Sequence, residues 1–290
     1  MKRNHLKTSI TRSIGVAFLL VAVSGVASAN TVNGSCTPFT GPTELTASPV
    51  TCTQFNPTMG TLTSIAITLT GSILSNVTVT NNATSQVTGT ATASSTFSLD
   101  QALPGFGFSS PLFTPSATTG PQPLPAKTTV TFNNLVSGNS NAGPLTDSTA
   151  ATFATYEGTG TFNITFDTVT GLNIIGGGGQ IAATQNTTAT VSATVVYTFT
   201  PPLTVTCPSV AASIGEVGVP FTSAPPTVSG GTPPYTFSIV GTLPPGLTLN
   251  TATGVVTGTA TAAGLWSVKV TDSTGAASTT TCPYYILDQP

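Results

Sequence analysis

The feature that most constrains this sequence is the alternation of apolar and small polar residues with a period of two. Between residues 191 and 199 an apolar side chain occupies every second position, with serine or threonine at most positions between. Tyr235 to Ile239 repeats the pattern on a shorter scale. Because successive side chains of a strand point to opposite faces, the pattern predicts strands with one buried and one solvated face. We therefore expect an all-β chain built from antiparallel β-sandwiches.

The first 29 residues have the organisation of a signal peptide. Four of the six basic residues lie among the first twelve positions, an apolar run follows, and Ala27-Ser28-Ala29 resembles a cleavage site. The apolar run is shorter than the roughly 20 residues of a membrane-spanning helix. We predict that residues 1–29 are removed and that the mature chain has no transmembrane segment. The expected location is secreted, either extracellular or at the cell surface.

The charge of the remaining chain excludes several functions. Beyond residue 29 only Lys127 and Lys269 are basic, against eight acidic residues, which gives a formal net charge of −6. Two lysines are too few to bind a phosphate backbone. Nucleic acid is therefore excluded as a partner. No histidine remains as a general base. Glu157 and Asp167 are the nearest candidates for a glycosidase pair, although solvated loop acids explain them better. We expect neither catalysis nor a cofactor.

Four cysteines remain in the mature chain: Cys36, Cys52, Cys207 and Cys282. Four cysteines allow three pairings. In an exported protein disulfides are favoured over a metal site, and the histidine or C-x-x-C partners of zinc sites are missing. We favour Cys36–Cys52 and Cys207–Cys282, because each pair then stays within one predicted domain.

A segment from residue 103 to residue 125 interrupts the alternation with six prolines and several aromatic residues. Proline cannot donate to a sheet ladder, so a long loop is expected here. Its residues Phe106, Phe108 and Phe113 are candidates for an exposed surface that stacks against a ligand, but we favour the interpretation that they plug the end of the sandwich. Trp266 is a further candidate platform, although its neighbours favour a core position.

Pro201-Pro202 ends the longest alternating run and is interpreted as a linker between two domains, residues 30–202 and residues 203–290. The first domain contains the segments FNPTMGTLTSIAITLTGS, NVTVTNNAT, YEGTGTFNITFDTVTG and TATVSATVVYTFTPP. Through these segments, residues 32–202 resemble the choice-of-anchor E domain of bacterial exported proteins. The resemblance implies a surface-associated protein without a catalytic activity, and it leaves the means of anchorage open.

The second domain contains, in order, the segments GGTPPY, LPPGL, GVVTGT and VKVTDS between residues 230 and 273. Through them, residues 204–286 resemble the immunoglobulin-like (cadherin- and dystroglycan-like) domain of bacterial surface proteins. This implies a Greek-key sandwich in which Cys207–Cys282 ties the first strand to the last. Asp272 is similar to the acidic residues of calcium-binding cadherins. Calcium needs six to eight oxygens, and only Glu216 accompanies Asp272 in the body of this domain, so no metal is expected.

Together these features predict an exported, non-enzymatic structural or adhesive protein of the bacterial cell surface or extracellular matrix. Its expected partners are an extracellular polysaccharide or a cell-surface protein. The alternative is a carbohydrate-binding module that uses exposed aromatic residues. A third hypothesis, ice binding through flat threonine rows, is weakened by the short and interrupted threonine runs of the sequence.

Overall fold

The computed structural model describes residues 29–176, 178 and 180–288. The predicted signal peptide therefore lies outside the described residues except for Ala29. The same holds for Gly177 and Gly179 of the glycine run that we interpret as a turn. Within the described part of the chain, no helix is long and apolar enough to cross a membrane.

Residues 30–200 form two six-stranded antiparallel sheets. Their strands are β1 (Asn30–Gly34), β2 (Cys36–Thr37), β3 (Phe39–Pro42), β4 (Ser48–Thr53), β5 (Thr61–Asn81), β6 (Val87–Leu99), β7 (Ser116–Thr118), β8 (Gln122–Leu124), β9 (Thr129–Val136), β10 (Ser140–Asp147), β11 (Thr161–Gly176) and β12 (Ile181–Thr200). Two 3₁₀ helices, Pro57–Met59 and Ala150–Thr155, lie between strands. One sheet has the order β1-β12-β5-β10, with β3 also on β12 and β9 also on β5. The other has the order β2-β4-β11-β6-β7, with β8 also on β6.

The long strands β5 and β12 pair along their whole length and organise the first sheet. The sequence pattern predicts two separate strands between residues 65 and 79, but β5 runs through without a break. The apolar pattern is interrupted at Ser75, whose inward hydroxyl lies 2.8 Å from the hydroxyl of Thr187 on β12. Because both hydroxyls are buried and satisfy each other, the interruption does not end the strand.

The local sequence patterns of this part also predict an irregular segment over residues 30–56, a polar loop over residues 137–147 and a strand over residues 152–156, and all three predictions are wrong. Residues 30–56, expected to be irregular, contain β1 to β4, and the expected loop over residues 137–147 contains β10. The strand expected over residues 152–156 overlaps the second 3₁₀ helix. β10 accommodates its internal proline because its pairing with β5 shifts register between Ala142 and Leu145. Such short strands are stabilised by long partners that are distant in sequence.

The core of this part is built from the alternating positions that the sequence predicts. Ile65, Ile67 and Leu69 of β5 are fully buried together with Ile164 and Phe166 of β11. In the same core, the Tyr197 hydroxyl of β12 donates a 2.8 Å hydrogen bond to the Thr53 carbonyl of β4. This bond links the two sheets directly.

Residues 204–287 form three smaller sheets. Their strands are β13 (Thr204–Thr206), β14 (Ile214–Glu216), β15 (Pro220–Thr222), β16 (Thr227–Ser229), β17 (Thr236–Gly241), β18 (Leu247–Leu249), β19 (Val256–Thr259), β20 (Gly264–Thr271) and β21 (Cys282–Leu287), with a 3₁₀ helix at Val210–Ala212. The sheets have the orders β14-β21-β20-β17, β15-β19-β18 and β13-β16. All strand pairs are antiparallel except β14 with β21. The predicted all-β architecture of tandem β-sandwiches is confirmed.

Trp266 lies at the centre of the second core and is 1% exposed. Its ring stacks on Tyr284 with a centroid distance of 5.8 Å and meets Phe221 edge-on at 6.2 Å. The indole is therefore a core residue and not a platform for a sugar. In the other sheet, Val256 at the start of β19 is fully buried. Val255, which precedes the strand and which the sequence pattern assigns to the core, is only partly buried.

Candidate functional sites

The aromatic segment after β6 occupies the core instead of forming an exposed platform. Phe106 and Phe113 are only 7% and 9% exposed, and Phe108 is half-buried at the edge of the same cluster. The Phe113 ring packs on Phe97 at a centroid distance of 5.1 Å and fills the space above Gly71, where a Cβ atom would collide with it. A buried ring has no free face for a ligand, so the positions of Phe106 and Phe113 fit the favoured interpretation as plugs.

Hydrogen bonds hold the aromatic segment in place. The Tyr156 hydroxyl donates to the Pro104 carbonyl at 2.7 Å, and its ring meets Phe106 edge-on at 5.8 Å. Burial raises the pKa of Tyr156 far above its ordinary value, so the phenol stays protonated and remains a donor. The sequence contains the aromatic residues but gives no sign of which carbonyl anchors the segment.

Asp147, at the end of β10, lies next to Gly105 of the aromatic segment. Its carboxylate accepts hydrogen bonds from the Thr149 amide at 2.9 Å and from the Thr152 hydroxyl. Desolvation raises the pKa of Asp147, but these hydrogen bonds outweigh it and hold the pKa below its ordinary value. The carboxylate is thus ionised and engaged in local structure, and its role is to fix the start of the second 3₁₀ helix.

Glu157 and Asp167 do not form a catalytic pair. Glu157 forms an isolated bridge with Phe55 before β11 begins, and Asp167 is the seventh residue of that uninterrupted strand. At about 3.3 Å per residue, the part of β11 from Thr161 to Asp167 spans about 20 Å. Because Glu157 precedes this strand, the two carboxylates lie well beyond the separation found in glycosidases. Asp167 instead accepts a 2.9 Å hydrogen bond from the Ala47 amide.

Asp272 follows β20 and organises a turn. One carboxylate oxygen accepts from the amides of Thr274 and Ala276, at 3.0 and 2.9 Å, and the other accepts from the Thr232 amide at 2.9 Å. Desolvation raises the pKa of Asp272, but the hydrogen bonds outweigh it and lower the pKa overall. The register places Glu216 at the opposite end of the sheet. In the described part of the chain, no three His, Cys, Asp or Glu residues cluster to hold a metal.

Both favoured disulfides are present, which confirms the predicted pairing. Cys36–Cys52 joins the paired strands β2 and β4, and Cys207–Cys282 joins a residue just after β13 to the first residue of β21. No described cysteine is free. The disulfides fit an oxidising, extracellular compartment.

The outer surface of the β5–β12 sheet collects hydroxyl groups that lie far apart in the sequence. Thr68, Thr70 and Ser72 on β5 pair in register with Thr194, Ser192 and Thr190 on β12. The array extends sideways, since the Thr190 hydroxyl lies 3.1 Å from that of Thr40 on β3 and Thr70 donates to Asn141 on β10 at 2.8 Å. We define the hydroxyl face as these eight residues: Thr40, Thr68, Thr70, Ser72, Asn141, Thr190, Ser192 and Thr194.

The hydroxyl face is uncharged. The single charged residue on the six strands of its sheet is Asp147, which is 4% exposed. The threonine runs look short in the sequence, because residues on four strands contribute to one surface. From general sheet geometry, rows lie about 6.6 Å apart along the strands and about 4.8 Å apart across them.

Comparison with known proteins supports the second resemblance. The protein-family model described as "Putative Ig domain" (He_PIG) matches residues 201–286. No curated protein matches the chain. The match supports the immunoglobulin-like interpretation of residues 201–286, whereas the choice-of-anchor E resemblance stays a prediction. The match suggests a protein of the surface or adhesive type, and folds of this kind are typically non-enzymatic.

Proposed function

We propose that this protein is an exported structural or adhesive protein of the bacterial cell surface or extracellular matrix, and that the hydroxyl face is its adhesive surface. The observation that carries the proposal is the in-register, uncharged array of hydroxyl and amide groups over four strands. Such a surface offers many donors and acceptors without the desolvation cost of burying charges. It therefore suits a neutral, hydroxyl-rich partner such as an extracellular polysaccharide, or a polar patch of a cell-surface protein.

A carbohydrate-binding module based on aromatic stacking has less support. Its main candidates, Phe106, Phe113 and Trp266, are all buried. Only Phe108 retains partial exposure, and one half-buried ring offers little stacking surface.

The test is retention of the mature chain on intact bacterial cells and on a panel of insoluble polysaccharides. We expect saturable retention that changes little between about 0.15 and 1 M salt, because screening acts on charges and the hydroxyl face has none. The triple variant Thr70→Val, Thr190→Val, Thr194→Val removes three hydroxyls and keeps β-branched side chains that favour strands. We expect it to lose most of the retention.

The matched control replaces threonines on the other sheet, Thr92→Val, Thr96→Val and Thr118→Val, and should bind like the parent chain. Thr92 and Thr118 also form a cross-strand threonine pair, so the control removes similar groups from a different surface. Absence of retention on every cell type and every polysaccharide of the panel would refute the adhesive function. Retention that collapses at high salt would refute the assignment to the hydroxyl face.

A further inference from the structure

The outer face of the four-stranded sheet in the C-terminal part is apolar, in contrast to the hydroxyl face. Leu265 on β20 and Val240 on β17 are 58% and 45% exposed. Three further exposed side chains complete the patch, and we define the apolar face as these five residues: Ile214, Val240, Leu265, Tyr285 and Leu287.

The strand register makes this face continuous. Leu265 pairs with Tyr285, and Tyr285 pairs with Ile214, so the three lie in one row across β20, β21 and β14. Their neighbours Trp266, Tyr284 and Ile286 point to the opposite, buried side. An apolar row on a solvated sheet face is typical of an interaction surface.

Two opposite charges lie toward opposite ends of the same face, on β14 and β20. Glu216 on β14 pairs with Leu287, and Lys269 on β20 pairs with Ser238. They are the only charged residues on the four strands of this sheet. Counted from the Leu265–Tyr285 row, Glu216 lies two residues to one side and Lys269 four residues to the other. Six residues along the strands and two strands across correspond to a separation of about 22 Å, so the two charges cannot pair within one chain.

This arrangement is complementary to itself. Two copies of the sheet can pack face to face about a two-fold axis that lies in the plane of the interface and bisects the line between the two charges. Each Glu216 then meets Lys269 of the other copy. In the same arrangement Leu265 lies close to the axis and meets its own copy, and Val240 lies over Leu287. A self-complementary patch of this kind is what an isologous interface requires.

We propose that a second copy of this chain occupies the apolar face and that the protein forms a symmetric dimer through the outer surfaces of these sheets. The apolar row supplies burial, and the two Glu216–Lys269 pairs fix the orientation of the two copies. The dimer goes beyond the adhesive function and does not rest on it. The hydroxyl-face triple variant should still dimerise, and a monomeric variant should still bind through its hydroxyl face.

The mass of the mature full chain in solution, measured by sedimentation over a range of concentrations, tests the proposal. We expect a concentration-dependent dimer that Leu265→Asp abolishes while the Trp266 fluorescence stays that of the folded protein. Glu216→Lys and Lys269→Glu should each weaken dimerisation by about tenfold or more, and the double swap should restore it. Asp100→Lys, on the other part of the chain, is the charge control and should have no effect.

Cross-linking gives an independent measurement. Leu265→Cys should be linked to its own copy by a short bis-maleimide cross-linker, because the residue lies near the two-fold axis and stacked sheets are about 10 Å apart, whereas Thr248→Cys on the opposite sheet should not. A wild-type chain that remains monomeric at all concentrations would overturn the proposal. A dimer that survives Leu265→Asp, or that the charge swap fails to restore, would overturn it as well.

Discussion

Removing the Cys207–Cys282 disulfide should destabilise the C-terminal part more than any single surface change. The bond spans 75 residues, almost the whole of that part, whereas Cys36–Cys52 spans 16. The chain-entropy relation gives about 4.5 kcal/mol for the longer loop and about 3 kcal/mol for the shorter one. Since domains are commonly stable by about 5–15 kcal/mol, the longer disulfide accounts for a large fraction of that stability.

Denaturant unfolding of the Cys207→Ala, Cys282→Ala variant, followed by tryptophan fluorescence, measures this loss. Trp266 is the only tryptophan of the chain and lies in the second core, so its signal reports on the C-terminal part alone. Cys282 is fully buried, so its replacement by alanine also leaves a small cavity that lowers stability. Chemically reduced wild-type protein lacks the disulfide but keeps the cysteine side chains, and it therefore separates the effect of the disulfide from that of the cavity.

The variant Cys36→Ala, Cys52→Ala is the control for location. It should lower the stability of the first part and leave the Trp266 transition where it is. A loss below about 1 kcal/mol for the longer disulfide would contradict the loop-entropy argument. A tryptophan transition that shifts equally in both variants would contradict the separation of the two cores.

Two further predictions concern local structure in the C-terminal part. Because hydrogen bonds hold the pKa of Asp272 below its ordinary value of 3.8, its ionised form contributes stability that is fully present above about pH 4 and is lost as the pH falls through the folded-state pKa. Asp272→Asn should therefore lower the free energy of unfolding by about 2 kcal/mol at neutral pH, measured by thermal or denaturant unfolding. The difference in stability from wild type should disappear in acid. A difference that is equal at all pH values, or an equal loss in the control Asp100→Asn, would contradict this. Gly246→Ala should destabilise far more than Gly275→Ala in the same assay: both glycines have a φ near +90°, but a Cβ atom would overlap the Thr259 carbonyl only at Gly246. We expect the free energy of unfolding to fall by about 1 kcal/mol for Gly275→Ala, and by about 2 kcal/mol or more beyond that for Gly246→Ala. Equal losses would show that the backbone near Gly246 moves to accommodate the added Cβ atom, which would contradict the prediction.

The sequence alone was enough to predict the fold class and much of the core. Alternation identifies the residues that share one face of a strand, and Phe162, Ile164 and Phe166 are buried together on β11 as that pattern requires. The disulfide pairing was predictable because each pair of cysteines stays within one compact part. Loop signals marked the aromatic segment after β6.

Short edge strands required the tertiary structure. β10 has almost no apolar alternation and forms because β5 offers an unpaired edge. The parallel pairing of β14 with β21 joins segments about 70 residues apart, and no local pattern specifies such a contact. Strand pairing is set by the partner as much as by the strand itself.

The candidate surfaces also depended on the tertiary structure. Alternation says that two side chains share a face, but it does not say whether another layer covers that face. Phe106 in a proline-rich loop is covered by the core, whereas Leu265 in a regular strand remains exposed. The hydroxyl face likewise exists only because β3, β12, β5 and β10 lie side by side. Burial and adjacency are properties of packed layers, and they arise from contacts between residues that are distant in the chain.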